Sequence, residues 1–254
     1  MPPPGPDAGS MPPAAPRRKR GRLGLVLAAL AAGAGIIAVK IVSGLLVGSV
    51  VGSALGNFFG GPYQRLPSEV RSQFEQRVET AVGNQLDGMS DTAAADRLRS
   101  LVQHGLLRLD DAALVRHLTL QTQALDSGNT ATCAGFARAS IGGKAASADI
   151  SRGLMEALDT RSLQEFVDIN IKGLEAEARG APAARTVSEA EAQTMFETLA
   201  NRLSEQDIGA IQAMSAGTTT TDEAACHAIR SLYDTALTMS SSDVALLARY
   251  DIQP

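Results

Sequence analysis

The chain reads as an all-α protein in which an N-terminal transmembrane segment precedes a multi-helix domain. Three observations predict this. Apolar residues recur at helical spacing through most of residues 62–254, and no stretch there alternates with the period of a strand. Hydrophobic residues fill 44% of the 254 positions while aromatic residues fill 4% and Trp is absent, so the core must be built from Ala, Leu, Val, Ile and Met. Between residues 23 and 61 the only charge is Lys40.

The first 22 residues hold seven of the chain's 11 prolines and the basic run "RRKRGR", for a net charge of +4. Proline has no amide proton to give a helix or sheet, so residues 1–22 are expected to be a disordered basic tail. Residues 23–61 are the expected membrane segment. As one helix, positions 23–60 would run about 57 Å at 1.5 Å per residue, nearly twice the roughly 30 Å of a hydrocarbon core. Three arrangements follow. A single span would leave the basic run in the cytoplasm and the domain outside. A two-span hairpin would turn near Lys40 and return the domain to the cytoplasm, although "AVKIVS" offers no turn residue. A cleaved signal, with Ala32 and Ala34 before the cut, would also export the domain. The first and third agree, and the domain is expected on the periplasmic or extracellular side.

Within this segment, "SGLLVGSVVGSALGNFFGG" sets Gly44, Gly48, Gly52, Gly56 and Gly60 four apart. Residues at i and i+4 share a helix face, so the five would form a side-chain-free stripe against which another helix can pack closely. The expected partners are the lipid bilayer and either a second copy of the chain or another membrane helix. The stretch resembles the glycine-zipper segments of bacterial envelope proteins. Several of those are lipoproteins, but here no cysteine adjoins the apolar run to carry a lipid.

Residues 62–254 form the expected all-α domain, with a net charge of −9. In "PSEVRSQFEQRVETAVGNQLDG", Val70, Phe74, Val78, Val82 and Leu86 recur every four residues before a stop at Gly88. Further helices are predicted at 91–106, 110–125, 130–140, 148–158, 160–178, 188–203, 204–215, 221–239 and 242–250. "SEAE" at Ser188 has the form of a capping box, and "SEQD" at Ser204 is a shorter version. The segments "DSGNT", "IGGKAA", "RGAPAART" and "SAGTTTT" read as loops.

Chemistry is sparsely signalled. Cys133 and Cys226 are the only cysteines, each near a predicted helix start, and in an exported chain they are expected to form one disulfide. His227 adjoins Cys226, but neighbours on a helix point about 100° apart and do not pair as base and nucleophile. His104, His117 and His227 lack metal-ligand spacing, so neither metal nor cofactor is expected. Asp110 with Asp111, and Asp222 with Glu223, read as helix-start charges. An acidic domain lacks the clustered cations that phosphate backbones require, so nucleic acid is not an expected partner. No catalytic residue is assigned. The expected role is a membrane-anchored structural or protein-interaction module, with an envelope enzyme or a cytoplasmic-facing hairpin protein as alternatives.

Overall fold

The computed structural model describes residues 50–143 and 146–253. Among the described residues there are eleven α-helices, one 3₁₀ turn and no strand. The helices are α1 (Val50–Phe59), α2 (Ser68–Leu86), α3 (Asp91–Leu106), α4 (Asp111–Ser127), α5 (Thr130–Ile141) and α6 (Ala148–Ala157). They continue as α7 (Thr160–Ala178), α8 (Glu189–Ala200), α9 (Glu205–Ser215), α10 (Asp222–Leu237) and α11 (Ser241–Ile252), and the 3₁₀ turn Gly61–Arg65 follows α1.

Local chemistry explains where these helices begin. From α3 to α11 each is preceded by Ser90, Asp110, Asn129, Ser147, Asp159, Ser188, Ser204, Thr221 or Ser240, whose side-chain oxygen accepts a backbone N–H three residues on. One such cap stabilises a helix by about 1 kcal/mol. Ser188 and Glu191 complete the capping box in both directions.

The broadest contact in the core is α3 against α7. A Cβ built on Gly105 would collide with the carbonyl oxygen of Gly173, and one on Gly173 would stand 3.0 Å from the Leu106 amide nitrogen. The two backbones therefore touch, which only paired glycines permit. On the flank of this crossing, α2 is held to α7 by Arg77. Its guanidinium donates to Glu175 at 2.7 Å and to Asp168 at 2.6 Å, and Lys172 bridges to Asp168 at 2.8 Å. On the opposite side of the chain's path, Arg249 of α11 donates to Asp111 at 2.5 Å and to the Leu109 carbonyl at 3.1 Å, joining the last helix to the start of α4.

The boundary expected at residue 61 moves. Val51, Ala54, Leu55, Phe58 and Phe59 are buried, and α1 packs against α2 and α3. Phe59 stacks on Tyr63 with ring centres 5.9 Å apart. Val50–Phe59, near the end of the apolar run, thus forms a core helix of the domain. Among the described residues no helix is long and apolar enough to cross a membrane, so the expected transmembrane span is not found there. Gly44 and Gly48 lie outside the described residues, as does the basic tail. Gly52 and Gly56 lie on the least buried side of α1. Gly60 does not continue their register: its φ of 69° ends the helix and turns the chain into the 3₁₀ segment.

Gly105→Ala or Gly173→Ala should destabilise the domain by about 3 kcal/mol, because backbone rather than a flexible side chain must give way. Gly209→Ala, an exposed site inside α9 with nothing within 4 Å of its added methyl, should instead stabilise by about 0.5–1 kcal/mol. Urea unfolding of the three variants checks both signs.

Candidate functional site

Cys133 and Cys226 meet where α5 packs on α10. Their Sγ atoms are 2.10 Å apart and their Cα atoms 5.1 Å, at a sequence separation of 93. Both are buried. Tied in this bond, neither sulfur can be a nucleophilic thiolate. The adjacent His227 points elsewhere, with its Nε2 3.5 Å from Asp207 Oδ1. Asp207 is buried at the first turn of α9, and its other oxygen accepts from Ser204 Oγ at 2.6 Å and Ser231 Oγ at 3.0 Å. The two hydroxyls converge on one carboxylate oxygen, while the imidazole stands near the other without a hydrogen bond to it. The serines serve that carboxylate rather than the imidazole, so the cluster clamps α9 to α10 and assembles no nucleophile and base.

The three histidines stand apart on α3, α4 and α10. Among the described residues no group of three His, Cys, Asp or Glu side chains could hold a metal ion. Beside the Arg77 clamp, Gln76, Thr80, Ala81, Ala178 and Arg179 line an open groove of about 510 Å³. Hydrogen bonding to Glu175 holds the Arg77 guanidinium firmly charged, and its donors are spent on the two carboxylates.

A different arrangement lies inside the domain. His117 lies on α4 between Leu114 and Leu118 and is fully buried. Its ring stacks on Phe166 at 4.8 Å and its Nε2 lies 3.4 Å from Asn170 Nδ2, which also donates to the Phe166 carbonyl at 2.7 Å. Burial pushes the imidazole down to about 4, so it is neutral at physiological pH. One turn along α4, Gln121 is 5% exposed and lines a cleft between α4, α5, α6 and α7. The other walls are Leu120, Ala124, Leu125, Phe136, Leu154, Met155, Leu158 and Phe166. The cleft holds about 320 Å³ counted out to its mouth, of which about 20 Å³ admits the centre of a water molecule. Neither Gln121 Oε1 nor Nε2 has a hydrogen-bond partner. Sequence reasoning missed this residue because a lone Gln in an amphipathic helix ordinarily marks the wet face.

No protein-family model, curated protein or solved structure matches the chain.

A buried ionisable pair sits near the C-terminus. Tyr233 Oη donates to Asp251 Oδ1 at 3.3 Å, and burial pushes the Asp251 carboxyl up to about 8. The folded state therefore keeps a proton that the unfolded chain releases near pH 3.8, so this group's contribution is lost as pH rises toward 8. His117 acts with the opposite sign between pH 4 and 6.5, where the unfolded chain binds the proton that the folded one refuses. The two slopes oppose below pH 6.5, and only the fall due to Asp251 remains above it. Asp251→Asn should flatten the decline between pH 6.5 and 8.5 in urea midpoints, while His117→Gln should leave that decline in place. Removing the disulfide, as Cys133→Ala with Cys226→Ala, should cost about 4–5 kcal/mol for a loop of this length, read in the same assay.

Proposed function

We infer that the protein is a membrane-tethered helical module whose domain lies across the membrane from its basic tail, in an oxidising envelope compartment. The observation that carries this is the place of α1. With Val51 to Phe59 packed into the domain, residues 23–49 are what the apolar run leaves for the bilayer. That length extends about 40 Å as a helix, enough for one crossing of a core about 30 Å thick and too short for two. The hairpin loses its second span. A single crossing with "RRKRGR" on the cytoplasmic side exports the domain under the positive-inside rule. A cleaved signal ending near Ala34 gives the same side.

The disulfide supports the same compartment, since buried bonds of this kind persist where thiols are not kept reduced. A structural or protein-interaction role suits a domain whose buried polar clusters staple helices together and whose cysteines are joined. The glycine stripe remains the association surface in this reading. Gly44 and Gly48 belong to the span and Gly52 and Gly56 continue on the least buried side of α1, facing a second copy or a partner helix.

Acid-quenching cells and counting maleimide-reactive thiols with and without reductant tests the placement. Both cysteines should react only after reduction. Immediate reaction of both would place the domain among reduced thiols and overturn the reading.

A further inference from the structure

Two sides of α7 are built in opposite ways. On one, its backbone meets α3 at the glycine crossing and Arg77 ties it to α2. On the other it meets α4, over a far smaller contact and through a row rich in polar groups. Arg116 donates from Nε and Nη2 to the two oxygens of Glu165 at 2.7 and 2.6 Å, His117 stacks on Phe166 and approaches Asn170, and Ser162 donates to Gln123 at 3.1 Å. Gln121, without a hydrogen-bond partner, and the gap of about 20 Å³ beside it lie along the same contact. The helices beyond α4 are joined to one another by the disulfide, by the Asp207 carboxylate and by Arg249. The α4–α7 contact thus separates two groups of helices that are each tied internally. Where the chain passes between the groups, Arg65 donates to the Glu156 carbonyl at 2.7 Å and to the Leu158 carbonyl, and Arg249 to the Leu109 carbonyl. These ties lie at the crossings and can hold while the middle of the contact parts.

We propose that the α4–α7 contact is an acid-opened seam with His117 as its trigger: a proton taken up by the imidazole parts α4 from α7 while the helices on either side stay folded. Closed, the ring has no acceptor for a second proton. Its Nε2 faces the Asn170 amide nitrogen, a donor already engaged with the Phe166 carbonyl. The Phe166 ring face attracts a cation but does not replace the water a buried charge loses. The charges on the surrounding helices are turned elsewhere. On α7, Glu165 is taken by Arg116, and Asp168 by Arg77 and Lys172. On α11, Arg249 holds Asp111, and Asp251 accepts from Tyr233. On α10, Arg230 donates to the Leu125 and Gly128 carbonyls, and Asp234 stands near Asp126 of α4. On α6, Arg152 pairs with Asp149, and Glu156 is exposed. Burial alone therefore holds the imidazole down to about 4. The closed seam has its full stability above pH 6.5 and loses it as pH falls toward 4, because an opened seam binds the proton that the closed one refuses. Glu165 stays charged through most of this range, since Arg116 holds its carboxyl below the usual value. Asp251 stabilises α10 against α11 more at pH 5 than at pH 7, so acid loosens the seam without loosening the helices beyond it. Opening uncovers Leu120, Ala124, Leu154 and Phe166, an apolar surface hidden at neutral pH.

The test labels single added cysteines in the full chain, held in phosphatidylcholine nanodiscs with the native disulfide intact, using dithiodipyridine, which reacts with thiols in acid. Ala124→Cys reports the seam, Ala192→Cys, buried in α8, reports unfolding elsewhere, and the exposed Ala190→Cys supplies the reference rate at each pH. When reclosing outpaces labelling, the relative rate follows the opening equilibrium. An exposed imidazole titrating at 6.5 and a closed one at about 4 make that equilibrium about twentyfold larger at pH 5 than at pH 7. Ala124→Cys should therefore gain about twentyfold, and Ala192→Cys should not gain. Adding His117→Gln should abolish the gain at Ala124→Cys. A flat response at Ala124→Cys, an equal gain at Ala192→Cys, or a gain that persists with His117→Gln would each overturn the proposal. If His117→Gln fails to fold, the comparison of the two buried sites with His117 in place decides the matter alone.

Discussion

The architecture depends on the contact between α3 and α7, where Gly105 and Gly173 bring two backbones together. Helices normally pack 8–10 Å apart because side chains stand between them. Removing the side chains at one crossing lets these two close further, and the rest of the core is arranged around that pair. α1 and α2 pack against them on one side, with the Arg77 clamp fixing the register of α2 on α7. α4 leans on α7 through the stacked His117 and Phe166. A wider α3–α7 spacing would pull α1, which packs on α3, away from α2, which packs on α7.

The second half of the domain is organised differently. There α5 and α10 are joined covalently, α9 is held to α10 through the Asp207 carboxylate, and α11 returns to α4 through Arg249. These ties are directional and polar, whereas the α3–α7 seam is a matter of shape. The two modes suit their sequences. The seam needs two small residues on facing helices, and the clamps need charged or hydroxyl groups that meet across two helices.

Most of the helical framework was legible in the sequence, because each helix from α3 onward opens with a residue that caps it and carries apolar residues at regular spacing. The meaning of the glycines was not. The repeating set from Gly44 to Gly60 drew the eye because it repeats, while Gly105 and Gly173, the pair with a demonstrable packing role, are single letters in separate helices. Nothing in either helix alone shows that the other will cross it there. The identity of α1 was ambiguous for a related reason, since an apolar run buried in protein and one buried in lipid have the same composition. The burial of Gln121, His117 and Asp251 could not be read because amphipathic patterns assign polar letters to water, and only the packed fold reveals which of them are enclosed. The cysteine pair was legible, given two cysteines and an expected exported domain.

The disulfide closes a loop that begins in α5 and ends in α10, and the segment from Gly180 to Val187 lies inside it. That segment is anchored at several points: Arg108 donates to the Ala181 carbonyl, Ala184 N–H donates to the Leu107 carbonyl at 3.1 Å, and Val187 N–H donates to Gln253 at 2.6 Å. It is also the longest helix-free connection between the domain's helices, and so the place where a protease would find extended backbone. A cut there would not release a fragment, because the chain on either side remains joined through sulfur. The domain would survive nicking as a two-chain molecule, and its two pieces would separate only when proteolysis and reduction act together.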